Sequence, residues 1–251
     1  MISEMRITRD IYMVGDGMRG LSHELDCIIY LLRSGENYIM VDAGVGLDNE
    51  LILRNIDEEG IERDRIKYLL ITHSHSDHAG GARFFQEELG LEVITTEAEA
   101  RLMESGSDEE LGLLATRGIV YPSDYQYKHC KPDRVLVDGE EIRLGDKVIK
   151  VIEVPSHSPG SACFLVKDER ALFSGDVVFH NGTIGLGNWP GCSLAAYREN
   201  IHKLGGLGVE KLFPGHFLVV LRDGQKHIDM AIENLKKPWV PPAWQHLHPH
   251  Y

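Results

Sequence analysis

The stretch IKYLLITHSHSDHAGG, residues 66–81, decides the fold of this chain. Its apolar first half has the composition of a buried strand, and a polar cluster begins where that strand should end. His73 and His75 are two residues apart, so in an extended segment their imidazoles share a face and can reach one metal ion. Asp77 and His78 follow on a turn that we expect to open a helix. Because four ligand-type side chains in so short a segment cannot all reach one ion, the spacing indicates two neighbouring ions.

This His-x-His-x-Asp-His spacing resembles the signature of the metallo-β-lactamase-fold hydrolases. The resemblance implies four further features in a set order, and each occurs in the sequence. They are an Asp-x-Gly after an early strand (Asp42), a His in SHSPG (His157), an Asp in SGDVVF (Asp176) and a late His in PGH (His216). Any one of them alone would be weak, but five elements in the correct order are specific.

The fold that the resemblance implies is a four-layer αββα sandwich, an α/β architecture, and the length of the chain suits a single domain over residues 1–251. By the same resemblance, Asp42 orients the neighbouring metal-binding loop through hydrogen bonds. An ordinary turn aspartate before glycine is the other interpretation of Asp42. The implied ligands are His73, His75 and His157 for the first ion, Asp77, His78 and His216 for the second, and Asp176 as a bridge.

The activity implied is that of a dinuclear metal-dependent hydrolase, with Zn²⁺ as the first choice of metal and Fe or Mn as alternatives. A hydroxide held between the ions would cleave a thioester, ester or lactone of a small metabolite. Asp77 and Asp176 are the catalytic candidates, and Asp77 can accept the proton released on attack.

Departures from better-known branches narrow this expectation. Class B β-lactamases commonly carry Cys or Ser at the place of Asp176, and acyl-homoserine lactonases carry Tyr at the place of Phe179. The Gly-Asp-x-x-Phe pattern is shared with glyoxalase II and its relatives, which makes a glyoxalase II-like branch the leading interpretation. The alternatives are a mononuclear Fe(II) oxygenase resembling persulfide dioxygenases, a lactonase-like or β-lactamase-like hydrolase, and a metal-stabilised binding module.

Composition limits the partners. A formal net charge of −13 argues against nucleic acid, which usually needs a clustered basic surface. The sequence has no long apolar run and its first residues are charged, so we expect a cytoplasmic protein that does not enter a membrane. The four cysteines lie far apart and are expected to be buried thiols. A small-molecule substrate is expected, and a homo-oligomer is possible.

Several stretches have two interpretations each. Residues 121–132, with three tyrosines, are either a lid or pocket wall or an ordinary surface loop. The glycine-rich residues 182–191 either line the site or form a plain loop. Alternating runs over residues 134–157 predict a meandering antiparallel sheet. The acidic residues after the fifth strand are expected to form a solvated face, and these are Glu97, Glu99, Glu104 and Glu109.

The C-terminal stretch PWVPPAWQHLHPHY is rich in proline and carries histidines at alternate positions, His246, His248 and His250. A second metal site is one interpretation. Docking of Trp239 and Trp244 on the domain itself or on a neighbour is favoured, because proline-rich ends rarely build a metal site.

Overall fold

A computed structural model describes residues 5–244 of the chain. These residues form two compact units. The first contains the residues up to Val135 together with Arg143–Lys147, and the second contains Leu136–Ile142 and the residues from Val148 onward. The chain has two β-sheets accompanied by helices, which confirms the mixed α/β class. The single-domain organisation over residues 1–251 stays a prediction.

The first sheet has six strands in the part of the chain that the structure describes, and they lie in chain order. Their bounds are β1 (Ile11–Gly15), β2 (Ile29–Ser34), β3 (Asn37–Val41), β4 (Ile66–Leu70), β5 (Glu92–Thr96) and β6 (Arg134–Leu136). The first three strands are antiparallel neighbours, whereas β3, β4 and β5 run parallel. Because the carboxyl ends of parallel strands lie at one edge, the segments that follow β3, β4 and β5 emerge side by side.

Helices accompany this sheet, and their bounds are α1 (Asn49–Glu58), α2 (Ser76–Ala79), α3 (Ala82–Leu89), α4 (Glu97–Ser105) and α5 (Leu113–Thr116). The apolar spacing of α1 predicts its buried face, which contains Ile52, Leu53 and Ile56. These side chains pack with Leu69 of β4 and Phe85 of α3 in the core of the first unit. Burying a side chain of this size contributes about 1.5–3 kcal/mol.

The second sheet has the order β11-β10-β9-β8-β7. Its strands are β7 (Glu141–Leu144), β8 (Lys147–Glu153), β9 (Ala162–Val166), β10 (Ala171–Gly175) and β11 (Lys211–Pro214), and its helices are α6 (Leu194–Asn200) and α7 (Gly224–Leu235). β9 is antiparallel to both β8 and β10, and β10 is parallel to β11. Therefore β8, β10 and β11 point the same way, and the segments that follow them leave from one edge.

The predicted meander over residues 134–157 is wrong in its first strand. β7 and β8 are neighbours in the second sheet, but β6 joins the first sheet beside β5. Asp133 holds this position, because its amide donates to the Val93 carbonyl at 2.8 Å and its carboxylate accepts from the Val93 amide at 2.9 Å. Alternation of apolar residues identifies a strand but not its partner.

Within residues 5–244, no helix has both the length and the apolar character needed to cross a membrane. The four cysteines are free thiols, as expected, with three buried and Cys192 half-buried.

Candidate metal centre

The histidines of the first unit lie directly after β4. The backbone leaves regular structure at Ile71, carries His73 and His75 through an irregular segment, and then forms the single helical turn α2 with Asp77 and His78. The His73 ring lies 4.6 Å from the His75 ring and 4.0 Å from the His78 ring, measured between centroids. The structure therefore brings the predicted ligands of this segment together.

Asp42 follows β3, the parallel neighbour of β4, and it holds this segment. It has a positive φ of 60°, and its Oδ1 accepts a hydrogen bond of 2.8 Å from the Thr72 amide. Its Oδ2 accepts a bond of 2.9 Å from Nδ1 of His78. The expected orienting role of Asp42 is confirmed by these bonds, and the plain turn interpretation is wrong.

The same bonds decide which ring nitrogen of His73 and of His78 carries no proton. The Thr72 hydroxyl lies 2.9–3.0 Å from the Asp42 carboxylate, which can only accept, so the hydroxyl donates its one proton there. The hydroxyl must then accept a hydrogen bond from Nδ1 of His73, which lies 3.0 Å away. In both His73 and His78 the proton is therefore on Nδ1, and Nε2 keeps the lone pair that a metal ion needs.

Three predicted ligands of the second unit follow the three strands that end at one edge of its sheet. His157 comes after β8, Asp176 directly after β10, and His216 two residues after the end of β11. Oδ2 of Asp176 faces both histidines, at 3.7 Å from Nε2 of His157 and 3.5 Å from Nε2 of His216. All three side chains are at most 8% exposed. The structure thus brings the three together.

The glycine-rich residues 182–191 hold His157 in place. Nδ1 of His157 donates to the Gly185 carbonyl at 2.6 Å, so Nε2 of this ring is also unprotonated. A Cβ atom at position 185 would lie 2.1 Å from the Asp176 carbonyl oxygen and 2.6 Å from Nδ1 of His157, so only glycine fits. Trp189 adds a bond of 2.9 Å from its indole to the His157 carbonyl. These residues therefore line the second group of ligands, as one of the two interpretations predicts.

Trp244 lies against His216. The two rings are 4.5 Å apart in an edge-to-face arrangement, and the ring of Phe217 is 5.1 Å from the indole. The Trp244 amide donates to the Ile184 carbonyl at 3.0 Å, which anchors the segment. Docking of Trp244 on its own chain is confirmed, while Trp239 is 61% exposed. The sequence did not indicate that Trp244 contacts a predicted ligand. His246, His248 and His250 lie outside the described residues.

Tyr121, from the tyrosine-rich stretch, lies beside Asp77. Its hydroxyl donates to Oδ1 of Asp77 at 3.4 Å, and its ring stacks on that of Tyr125 at 5.0 Å. Burial, followed by the charge of Asp77, raises the pKa of Tyr121 well above its ordinary value, so its hydroxyl stays a donor at neutral pH. Tyr121 therefore lies beside a predicted ligand of the first unit, which favours the pocket-wall interpretation for this part of residues 121–132.

The spacing of the donor atoms fits a metal ion. Nε2 of His78 lies 3.6 Å from Oδ2 of Asp77, and the two distances to Asp176 are 3.7 and 3.5 Å. These separations exceed the roughly 2.7–3.2 Å of an N–H···O hydrogen bond. They approach the roughly 3.4 Å between two ligands that are each about 2.0–2.1 Å from one tetrahedral ion. Bare imidazole nitrogens and carboxylate oxygens are donors that Zn, Fe and Mn accept.

Cys27 belongs to another group of potential donors, because its sulfur lies within 4.8 Å of ligand-type atoms of Asp42 and His78. Burial raises the pKa of the Cys27 thiol far above its ordinary value. Only the thiolate binds a metal well, and Asp42 is engaged by Nδ1 of His78. Cys27 packs in the core of the first unit and is not one of the predicted ligands.

Comparison with known proteins finds a family model and curated relatives that match most of the chain. A family model described as the metallo-beta-lactamase superfamily matches residues 24–216. The acyl-coenzyme A thioesterase MBLAC2 of Gallus gallus is 32% identical over 208 residues, which cover 75% of this chain and 72% of that protein. The atrochrysone carboxyl ACP thioesterase of Aspergillus fumigatus is 27% identical over 202 residues, covering 78% of this chain and 52% of that protein.

Solved structures show the same fold. A metallo-beta-lactamase family protein from Thermus thermophilus superposes with a TM-score of 0.71 at 22% identity, covering 92% of this chain and 81% of that one. The FEZ-1 metallo-beta-lactamase of Legionella gormanii gives a TM-score of 0.70 at 20% identity, covering 92% and 93%. The predicted αββα metallo-β-lactamase fold is confirmed by this likeness.

Proposed function

This chain belongs to the metallo-beta-lactamase superfamily, and from that premise we propose that it is a metal-dependent hydrolase that cleaves thioesters of small metabolites. The observation that carries the proposal is the spacing of 3.5–3.7 Å between imidazole Nε2 atoms and carboxylate oxygens in each of the two ligand groups. Two divalent ions are proposed, with Zn²⁺ as the first choice. Their proposed ligands are His73, His75, Asp77, His78, His157, Asp176 and His216.

Bound ions at these positions would supply a water of lowered pKa as the nucleophile and positive charge opposite the developing oxyanion. The protein's own part is to hold the donors. Oδ2 of Asp176 faces two imidazoles at once, which suits the bridging role proposed for it. Asp77 presents Oδ2 to His78 and Oδ1 to the Tyr121 hydroxyl. Oδ1 is the atom we expect to hold the proton that the attacking water releases.

Thioesters are preferred over esters and lactones for two reasons. Two relatives from different kingdoms carry thioesterase names. In addition, a thiolate leaving group has a pKa of about 8.5 and departs near neutral pH without being protonated. Esters and lactones release alkoxides, which require a proton donor, and stay in the test panel as the less favoured substrates. A glyoxalase II-like branch is kept as part of this proposal.

The experiment compares metal content and hydrolysis in one preparation. Purified protein is stripped of metal, reloaded separately with Zn²⁺, Fe²⁺ or Mn²⁺, and assayed with acyl-coenzyme A thioesters of graded chain length and with an ester and a lactone of the same acyl group. We expect release of free thiol by the reloaded protein. Asp176→Asn should reduce the rate at least 100-fold, since it removes the proposed bridging charge.

The matched control is Asp168→Asn, an exposed aspartate in the turn between β9 and β10. It should hydrolyse thioesters like the unmodified chain. The proposal fails if folded, metal-loaded protein hydrolyses no member of the panel. If the iron-loaded protein consumes oxygen when a persulfide is added, the oxygenase alternative replaces the hydrolase proposal.

The free thiols also support a cytoplasmic location, which we include in the proposal, because reducing compartments preserve unpaired cysteines. A homo-oligomer stays a prediction.

A further inference from the structure

Glu99 is a buried carboxylate that the proposed chemistry does not use. Its side chain is 0% exposed, whereas Glu97 on the same helical turn is exposed. The expected solvated face is therefore wrong for Glu99, although Glu104 and Glu109 are exposed as predicted. The reason is the orientation of α4, which turns Glu99 inward together with Ala100, Leu102 and Met103. Burying a carboxylate is costly unless it makes compensating interactions.

One such interaction reaches the segment that carries the histidines. Oε2 of Glu99 accepts a hydrogen bond of 2.8 Å from the amide of Ser74, the residue between His73 and His75. This amide belongs to an irregular segment, so no neighbouring strand satisfies it. Placing a carboxylate there fixes the peptide plane between His73 and Ser74, and His75 is the next residue along the chain.

Asp42 and Glu99 act on this segment in the same way from opposite sides. Asp42 follows β3 and accepts from the Thr72 amide, while Glu99 follows β5 and accepts from the Ser74 amide. The segment itself follows β4, which lies between those two strands. Two carboxylates from the flanking strand ends therefore hold alternate amides of the central segment.

We propose that Glu99 is a positioning residue for the first metal ion, which sets the spacing of His73 and His75 through the Ser74 amide and favours a dication through its buried negative charge. The proposal rests on the proposed function, since it requires that these histidines bind metal. The effect on spacing arises because a carboxylate that is hydrogen-bonded to the ligand segment orients the ligands. The effect of charge arises because a buried site screens the carboxylate charge poorly. The competing role is purely structural, as part of the first turn of α4.

Three variants separate these roles. Glu99→Gln keeps an oxygen acceptor for the Ser74 amide but removes the charge, and Glu99→Ala removes both. Glu97→Gln removes a charge from the same helical turn at an exposed position and is the matched control. Metal affinity is measured by titrating metal-free protein with Zn²⁺ against a chromophoric chelator. Co²⁺ absorption spectra report the ligand geometry, and thermal unfolding of the metal-free proteins reports the fold.

We expect affinity to fall by about 10- to 100-fold in Glu99→Ala, to fall less in Glu99→Gln, and to stay unchanged in Glu97→Gln. The Co²⁺ spectrum should change in Glu99→Ala. A lower melting temperature with unchanged Zn²⁺ affinity in both Glu99 variants would overturn the proposal in favour of the structural role. An equal loss of Zn²⁺ affinity in Glu97→Gln would also overturn the proposal. If Glu99→Ala does not fold, Glu99→Gln decides. Absence of metal binding by the unmodified chain would instead reject the proposed function.

Discussion

Oδ2 of Asp42 and Nδ1 of His78 are joined by a hydrogen bond of 2.9 Å, and both side chains are at most 3% exposed. The two residues belong to segments that follow neighbouring parallel strands, so the sheet itself brings them together. The bond keeps the proton of His78 on Nδ1 and turns Nε2 towards Asp77. A residue that binds no metal thereby controls the tautomer and orientation of a proposed ligand.

Replacing Asp42 with Asn should separate this orienting role from the fold. Asparagine tolerates the positive φ and can still accept from the Thr72 amide, but its NH₂ group cannot accept from Nδ1 of His78. We expect Zn²⁺ affinity to fall by about 10- to 100-fold, measured by competition with a chelator. Asp48→Asn, at an exposed aspartate before α1, should bind as the unmodified chain does. Equal affinity of the two variants would contradict the role of Asp42.

Gly185→Ala should disrupt the second ligand group. The added Cβ atom would lie 2.1 Å from a backbone oxygen and 2.6 Å from Nδ1 of His157, so the ring must move. We expect loss of about one metal ion per chain and a lower melting temperature, measured by elemental analysis and calorimetry. Gly205→Ala is the control, since its nearest contact would be 3.1 Å away and its φ is negative. Full metal content in Gly185→Ala would show that His157 is not a ligand.

Trp244→Ala should weaken metal binding through His216. The indole lies against the imidazole and its backbone amide is anchored at Ile184, so the substitution removes one packing contact that holds the His216 ring. We expect the Zn²⁺ affinity to fall by about 10-fold, which is the lower end of the range for residues that support a metal ligand. Trp239→Ala removes an exposed indole from the same stretch and should have no effect. Tryptophan fluorescence should also respond to Zn²⁺ in Trp239→Ala. The response should be smaller in Trp244→Ala, where Trp189 beside His157 is the indole that stays close to a proposed ligand.

Tyr121→Phe should change catalysis through Asp77. The substitution keeps the ring stack on Tyr125 and removes only the hydroxyl that donates to Oδ1 of Asp77. We expect kcat for thioester hydrolysis to fall by about 10-fold with a shifted pH profile, measured on metal-loaded protein. Tyr125→Phe removes the other hydroxyl of the stack, which donates to the Val45 carbonyl at 3.0 Å. It should lower the melting temperature and leave the pH profile unchanged.

Alkaline pH should destabilise the metal-free protein. Burial raises the pKa of the Cys163 thiol far above its ordinary value. From about pH 9 upward the unfolded chain therefore loses this proton while the folded chain keeps it, and stability falls as pH rises. One such thiol contributes at most about 1.4 kcal/mol per pH unit. Urea unfolding between pH 8 and 10 should give a shallower fall in Cys163→Ala, whatever its stability at pH 8. An unchanged slope would contradict this assignment.

Much of the ligand pattern could be predicted because the proposed ligands lie in segments that follow apolar strands. His73 follows β4, Asp176 follows β10 and His216 lies just beyond β11, and such strand ends are visible in the order of residue types alone. Glu99 could not be recognised in the same way. The sequence places it among four similar acidic residues, and only the rotation of α4 about its axis makes it the buried one.

The sequence by itself determined the superfamily, the strand ends that carry the proposed ligands and the order of those residues, because these depend on residue type and spacing along the chain. Tertiary structure decided what contacts them. The contact of Trp244 with His216, the bond from His157 to Gly185, and the sheet that β6 joins each connect residues that are distant in sequence. The conformational preferences of single residues do not predict such partners. Packing, and the need of buried polar groups for hydrogen bonds, determine them.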